Sequence, residues 1–381
     1  MNKRFDIPEV TAQTPLAVAA PALLLAKADP LFELEGAARG GADMDAVHDM
    51  RVASRRLREA LRLLEPVYPR KEYQKWYRRV RRITRALGPV RDSDVFIDTF
   101  SRLGEHLGEG GRRTLAFMVG YRTGQRVAEL ERLNAELGHL DLDRNRARFA
   151  AFARRVNPAV DGARLLAAFA HAAVAERASI VFGAQPAALS EENTLAQHAL
   201  RIDYKRLRYA VEAFAPCYND AFDDLHETLT AFQDTLGELH DVHVFLDMLR
   251  DPERIAAAGR GGVLAADLTE VVELLEERAH EEYLRFAALV AEHPAEQLLP
   301  RLLLPLTVRP LPEVEQDTAG ETPEVIEEAS GQADEAPGQT RETPVEPGEF
   351  VLLDPGCPAL SDAGRADVAE PGEPDGVTDA D

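Results

Sequence analysis

A chain of 381 residues with a formal net charge of −22 would repel an anionic ligand if that charge were spread evenly. It is not: residues 311–381 hold 20 acidic and 2 basic side chains, whereas residues 1–310 hold 46 acidic against 42 basic and are close to neutral. The two cysteines, Cys217 and Cys357, are far apart and one lies in the acidic segment, which excludes a disulfide framework and a thiolate metal site and points to a reducing compartment, read as the cytoplasm. In chain order, residues 16–25 form an apolar run behind Lys3 and Arg4, but Asp6, Glu9 and Pro21 argue against a secretory leader. Nothing else approaches the apolar length needed to cross a bilayer. Apolar residues three and four apart predict helices over 16–38, with breaks at Pro21 and Pro30, then 43–65, 71–87, 92–103 and 112–137. A second set covers 162–182, 191–214, 221–236, 241–249 and 262–293. Pro66, Pro69, Gly88 and Pro89, and the glycines from 108 to 111 are the expected punctuation. Strand patterns are nearly absent, so the fold class is all-α. Residues 305–381 are dominated by Pro, Gly, Glu, Asp and Thr and should form a disordered acidic tail.

The chain repeats itself. His48-Asp-Met-Arg51-Val-Ala-Ser-Arg55-Arg56-Leu57-Arg58-Glu-Ala60 matches His198-Ala-Leu-Arg201-Ile-Asp-Tyr-Lys205-Arg206-Leu207-Arg208-Tyr-Ala210 at a shift of 150. Downstream, Leu87-Gly88-Pro-Val-Arg91-Asp92-Ser-Asp-Val95-Phe96 matches Leu236-Gly237-Glu-Leu-His240-Asp241-Val-His-Val244-Phe245 at a shift of 149. Two blocks in the same order and separation make residues 15–156 and 157–304 copies of one helical unit, joined near 157–161.

Each copy carries a basic ladder. Met50, Ser54, Leu57, Leu61 and Leu64 form the stripe expected to pack inward, matched by Leu200, Tyr204, Leu207, Val211 and Phe214. Beside it run His48, Arg51, Arg55, Arg58 and Arg62, and in the second copy His198, Arg201, Lys205 and Arg208, at alternating spacings of three and four. Like charges so placed repel one another, and a polyanion would relieve the repulsion. The next helix adds Lys71, Lys75, Arg78, Arg82 and Arg85 opposite a buried side of Trp76, Val80, Ile83 and Leu87. Its counterpart is not basic, since Glu227, Ala231 and Asp234 stand where Arg78, Arg82 and Arg85 do. The first copy should therefore supply more of the binding charge.

These paired His-x-x-Arg-x-x-x-Arg/Lys-Arg-Leu-Arg blocks, each followed by Leu-Gly-x-x-Arg/His-Asp, resemble the conserved histidine α-helical domain, or CHAD, family over residues 15–304. The resemblance implies two four-helix bundles related by approximate twofold symmetry around a basic surface that binds inorganic polyphosphate, with association with polyphosphate granules. It makes His48, Arg51, Arg55, Arg58, His198, Arg201, Lys205 and Arg208 ligand contacts, with Arg82, Arg85 and Arg91 beside them; His240 departs from the pattern where the first copy has Arg91. The Glu-x-Glu-x-Lys mark of a triphosphate tunnel (CYTH) domain is missing, since Glu33-Leu34-Glu35 is followed by Gly36 and Ala37, so the resemblance is to the stand-alone form.

Other readings exist for the same residues. Arginines at helical spacing are usually a solvated face, and Asp49, Glu59 and Glu65 could neutralise the first ladder; two copies plus a third stripe favour a ligand instead. Asp92 and Asp241, each following a Gly-containing segment, read as helix N-caps rather than catalytic acids. His48-Asp49 and His240-Asp241 superficially resemble a metal phosphohydrolase site, but the repeat preserves neither dipeptide, so no metal, cofactor or enzymatic activity is expected. Nucleic acid is the second choice of ligand, an acidic protein partner the third.

Overall fold

The computed structural model describes residues 5, 7–41, 44–161, 163–251 and 265–307. The acidic tail expected from the sequence lies, from residue 308 on, outside the described residues. Among those described the chain is all-helical, without strands: α1 Leu16–Glu33, α2 Glu35–Gly40, α3 Met44–Leu63, α4 Arg70–Leu103, α5 Glu109–Leu140, α6 Leu142–Ala153, α7 Leu166–Ala188, α8 Thr194–Ala213, α9 Phe222–Arg250, α10 Ala265–Glu292 and α11 Ala295–Leu303. Helix α1 packs on α3, α3 on α4 and α4 on α5; α7 packs on α8, α8 on α9 and α9 on α10. Contacts of α3 with α8 and of α5 with α10 join the two series. The entries to α1 and α7 are tied by Leu16 N–H donating to the Arg164 carbonyl (2.8 Å) and Leu166 N–H to that of Thr14 (2.9 Å).

The apolar stripes decide which faces turn inward. Met50, Ser54, Leu57 and Leu61 of α3 and Leu64 just after it are buried, as are Leu200, Tyr204, Leu207 and Val211 of α8 and Phe214 just after it, so the two ladder helices present the sides that their periodicity predicts. Tyr204 stacks on Phe232 with ring centroids 4.5 Å apart, and Trp76 meets Phe149 edge-on at 5.1 Å. A main core gathers α1, α3, α7, α8 and the first halves of α4 and α9. A second, smaller core forms where Phe96 and Phe100 of α4 meet Phe245 and Leu249 of α9, with Leu115 and Met118 of α5 and Val271 and Leu275 of α10. Helices α4 and α9 run through both.

That continuity corrects the sequence reading. The breaks expected at Gly88-Pro89 and before Asp241 are absent: 71–87 and 92–103 are one helix, and so are 221–236 and 241–249. Pro89 is exposed, so its ring sits on the solvent side of α4 and away from both cores. A mid-helix proline costs about 3 kcal/mol, and burial of Leu87 and Val90 in one core and Phe96 and Phe100 in the other offsets it. Asp92 and Asp241 are therefore mid-helix residues and cap nothing. Pro21 and Pro30 likewise sit inside α1, and α6 and α11 are helices that the periodicity did not disclose. The 23-residue α7 is apolar enough, by length and composition, to cross a bilayer, contrary to expectation; here Leu166, Ala170, Val174, Ala178 and Val181 are buried in the main core.

One glycine is required by geometry. Gly41, between α2 and α3, has φ +62°, and a Cβ placed there would run into the side chain of Leu130. Gly41→Ala is expected to destabilise by at least the roughly 1–2 kcal/mol of a left-handed L-residue, read as a lower denaturant midpoint with an unchanged slope.

Candidate functional site

Helices α4 and α9 leave the main core after Val90 and Leu236 and enter the second at Phe96 and Val242. Between the two cores a cavity of about 460 Å³ opens, lined mostly by charged and polar side chains with Val52 and Val95 among them. Helix α3 lines it with His48, Asp49, Arg51, Arg55 and Arg56, α4 with Arg91 and Asp92, α8 with Arg201, Arg208 and Tyr209, and α9 with Gln233, Asp234, Gly237, Glu238 and Asp241. The second sequence block of each copy is thus a helix wall. Gly237 keeps that wall low, and a Cβ there would sit 3.8 Å from Nε of Arg201.

Of the sequence-derived candidates, His48, Arg51, Arg55, Arg91, Arg201 and Arg208 meet at this cavity, and the other five do not line it. Arg58 is half-buried and Lys205 buried. Arg82 and Arg85 are exposed on the outer face of α4, where Arg82 pairs with Glu136 of α5. His198 lies in a ring pair with His240, Nδ1 to Nδ1 at 3.0 Å, so one ring must present a bare nitrogen to the N–H of the other.

The cations are held in place by specific partners. Arg51, 6% exposed, donates to the Thr84 carbonyl at 3.1 Å, and the Thr84 hydroxyl donates to Ser54 Oγ at 3.0 Å. Arg56 makes a two-point contact with Glu212 (Nε to Oε2 2.6 Å, a second guanidinium nitrogen to Oε1 3.1 Å). Arg208 reaches the same carboxylate at 3.0 Å, donates to Gln233 at 2.8 Å, and lies 5.0 Å from the Tyr209 ring centroid. His226 approaches Glu212 Oε1 at 3.0 Å, and Lys27 donates to the Glu212 carbonyl at 3.0 Å. Glu212 therefore organises two of the cavity's arginines from behind its wall.

Arg56 and Glu212 were not singled out from the sequence. A signal existed: Glu212 interrupts an apolar stretch four residues after Arg208, the spacing of an ion pair on one helix face. The acids of the wall were missed as a group. Six arginines and a histidine face five carboxylates, Asp49, Asp92, Asp234, Glu238 and Asp241, so the lining is densely charged and of mixed sign.

Burial moves the titrations of several of these groups. Asp92, 4% exposed, is pushed up to about 6 by desolvation; Arg51, Arg122 and Arg55 pull it down and Asp241 pushes it up. His48 is lowered from its ordinary 6.5 by burial first and Arg91 next, with Asp49 and Asp45 opposing. Burial also lowers the Arg91 guanidinium, which Asp94, Asp241, Asp45 and Asp92 partly restore. Among the described residues no group of three or more His, Cys, Asp or Glu side chains is placed to hold a metal ion.

Known proteins resemble the chain at the level of the fold. The crystal structure of the CHAD domain from the plant Ricinus communis superposes with a TM-score of 0.53 at 23% identity, covering 80% of this chain and 96% of that one. PptA from Streptomyces chartreusis superposes with a TM-score of 0.50 at 15% identity, covering 75% and 99%. No curated protein matches the sequence. The CHAD domain family matches residues 22–250, more than half of the chain and the span that carries all four sequence blocks and the cavity they line, and the chain belongs to that family.

Proposed function

We propose that this chain binds inorganic polyphosphate in the cavity between α3, α4, α8 and α9 and does not turn it over. The observation that carries the reading is the convergence of Arg51, Arg55 and Arg91 from one copy with Arg201 and Arg208 from the other on one space of about 460 Å³. Membership of the CHAD family supports it, because polyphosphate is the ligand which that resemblance implies. On this reading α1, α3, α4 and α5, and α7, α8, α9 and α10, are two four-helix bundles about an approximate twofold axis, with the cavity where the matched blocks meet. The site of action is the cytoplasm, on polyphosphate granules.

The five carboxylates set a threshold for any ligand. An anion must offer the arginines more than their present partners do, which calls for many oxygens and a high linear charge density. Successive phosphates of polyphosphate share a single oxygen, whereas a sugar separates those of a nucleic acid. The full chain titrated with polyphosphate, with orthophosphate, ATP and DNA as competitors, tests the reading: polyphosphate should displace DNA at low concentration and not the converse. Preferential retention of DNA would hand the cavity to a nucleic acid. Affinity should also fall steeply with salt, since each engaged cation returns a condensed counterion to solution.

Polyphosphate binding should take up protons. A polyanion beside Asp92 and His48 favours the neutral acid and the charged imidazole, so both groups move towards their protonated forms. Asp92 titrates near 6 and His48 below 6.5, so affinity should rise as the pH falls from 8 towards 5.5. In the unliganded fold the raised Asp92 pKa stabilises below its ordinary 3.8, and that contribution is gone above about 6. Calorimetry in two buffers of different ionisation enthalpy measures the uptake, and Asp92→Asn should reduce it. Proton release on binding would contradict the reading.

A further inference from the structure

The α4 stripe lies outside the cavity and remains to be assigned. Lys71, Lys75, Arg78, Arg82 and Arg85 are all exposed. Arg82 has Glu136; Lys71, Lys75, Arg78 and Arg85 have no ion-pair partner among the described residues. From Lys71 to Arg85 the stripe extends about 21 Å along the helix.

Two contacts fix how α3 runs past α4. Arg62 Nε donates to the Tyr77 hydroxyl at 2.8 Å near one end, and Arg51 donates to the Thr84 carbonyl at 3.1 Å near the other. The two helices run antiparallel, and Arg55 and Arg58 of α3 and Arg81 of α4 lie along the stretch between these contacts. Beyond His48, Arg51 and Arg55 at the cavity, the half-buried Arg58 and Arg81 therefore stand between the cavity and the exposed stripe on the outer face of α4. The other copy offers no such path. Glu227, Ala231 and Asp234 of α9 occupy the repeat positions of Arg78, Arg82 and Arg85, Glu227 is exposed, and Asp234 itself lines the cavity.

We propose that a polyphosphate chain longer than the cavity leaves it in one direction only, along the α3–α4 groove, and is held outside by the α4 stripe. The proposal rests on the polyphosphate reading of the cavity. Its consequence is a dependence on chain length: a short chain is bound by the cavity alone, and each added segment gains cations until the stripe is occupied. Because the α9 side is acidic at the matching positions, the excess does not lie across both faces.

The test compares tripolyphosphate with long-chain polyphosphate on the full protein. In a variant carrying Lys71→Glu, Lys75→Glu and Arg78→Glu, long-chain affinity should fall by more than about tenfold while tripolyphosphate affinity stays at the wild-type value. These positions are exposed, and an unchanged thermal midpoint shows that the fold is kept. Undiminished affinity for both lengths would overturn the exit path while leaving the cavity reading intact. Equal losses for both lengths would also overturn it, because the stripe would then not be separate from the cavity. Wild-type protein that binds neither length would remove the cavity reading and the exit path together. Loss of duplex DNA binding with both polyphosphate affinities unchanged would make the outer face of α4 a nucleic-acid surface instead.

Discussion

Truncating Glu212 to alanine is expected to cost the fold about 3–5 kcal/mol, the usual penalty for removing one partner of a buried ion pair and leaving the other charge uncompensated. The magnitude follows from how much depends on this one carboxylate. Its side chain is 1% exposed and meets Arg56, Arg208 and His226 within 3.1 Å. Burial alone would raise its pKa; the His226 hydrogen bond and the Arg56 and Arg208 charges outweigh that and hold it far below the usual carboxylate range. A depressed pKa means that the stabilisation is present above the ordinary value of 4.5 and is lost only in strong acid, so the loss in the variant should appear throughout neutral pH. Denaturant midpoints at pH 7 measure it, and a change below about 1 kcal/mol would show that the cluster is solvated rather than buried. The milder Glu212→Gln keeps the shape and leaves Arg56 and Arg208 seeking an anion. Polyphosphate should therefore raise the melting temperature of that variant more than that of the wild type, since the ligand would replace the missing carboxylate as well as fill the cavity.

Much of the fold was legible because the apolar stripes are long and regular. The Met50 and Leu200 series on α3 and α8, and Trp76, Val80, Ile83 and Leu87 on α4, turn inward as their spacing requires. What was hidden was continuity. Gly88 and Pro89 read locally as a stop, and only the burial of Phe96 and Phe100 against Phe245, far along the chain, makes an unbroken α4 favourable. Helix α6 was hidden for a different reason: Arg144, Arg146 and Arg148 dilute its pattern, and Phe149 and Phe152 find their partners on Trp76 and Tyr68. The site was legible as a ladder but not as a cavity. Periodicity places His48, Arg51, Arg55 and Arg58 on one side of α3, and the packing of α3 against α4 and α8 decides that the first three reach the cavity and Arg58 does not. That Asp92 and Asp241 join Asp49 and Asp234 in one wall was hidden, because they look like caps until α4 and α9 are known to run straight through.

Reversing charge at Arg55 and Arg201 together is expected to weaken polyphosphate binding by at least about a hundredfold, since each charge-assisted hydrogen bond contributes about 1.5–3 kcal/mol and 1.4 kcal/mol is a factor of ten. These two positions are preferable to Arg51, which is buried and bonded to the Thr84 carbonyl, so that its loss would disturb the α3–α4 packing as well as the ligand. Arg55 and Arg201 are half-buried, face the cavity, and stand on helices whose apolar stripes they do not share. Helicity and the thermal midpoint should therefore change little. The single variants carry the sharper information. Arg55 belongs to the first copy and Arg201 to the second, so a ligand spanning one shared cavity loses affinity with either Arg55→Glu or Arg201→Glu alone. A ligand lying on the surface of one copy would respond to one change and ignore the other. The double variant should then lose less than the product of the two single losses, because the first reversal already displaces the segment of chain that the second would have repelled. If Arg55→Glu and Arg201→Glu each leave the affinity where it was, the ligand does not enter the space between α3 and α8.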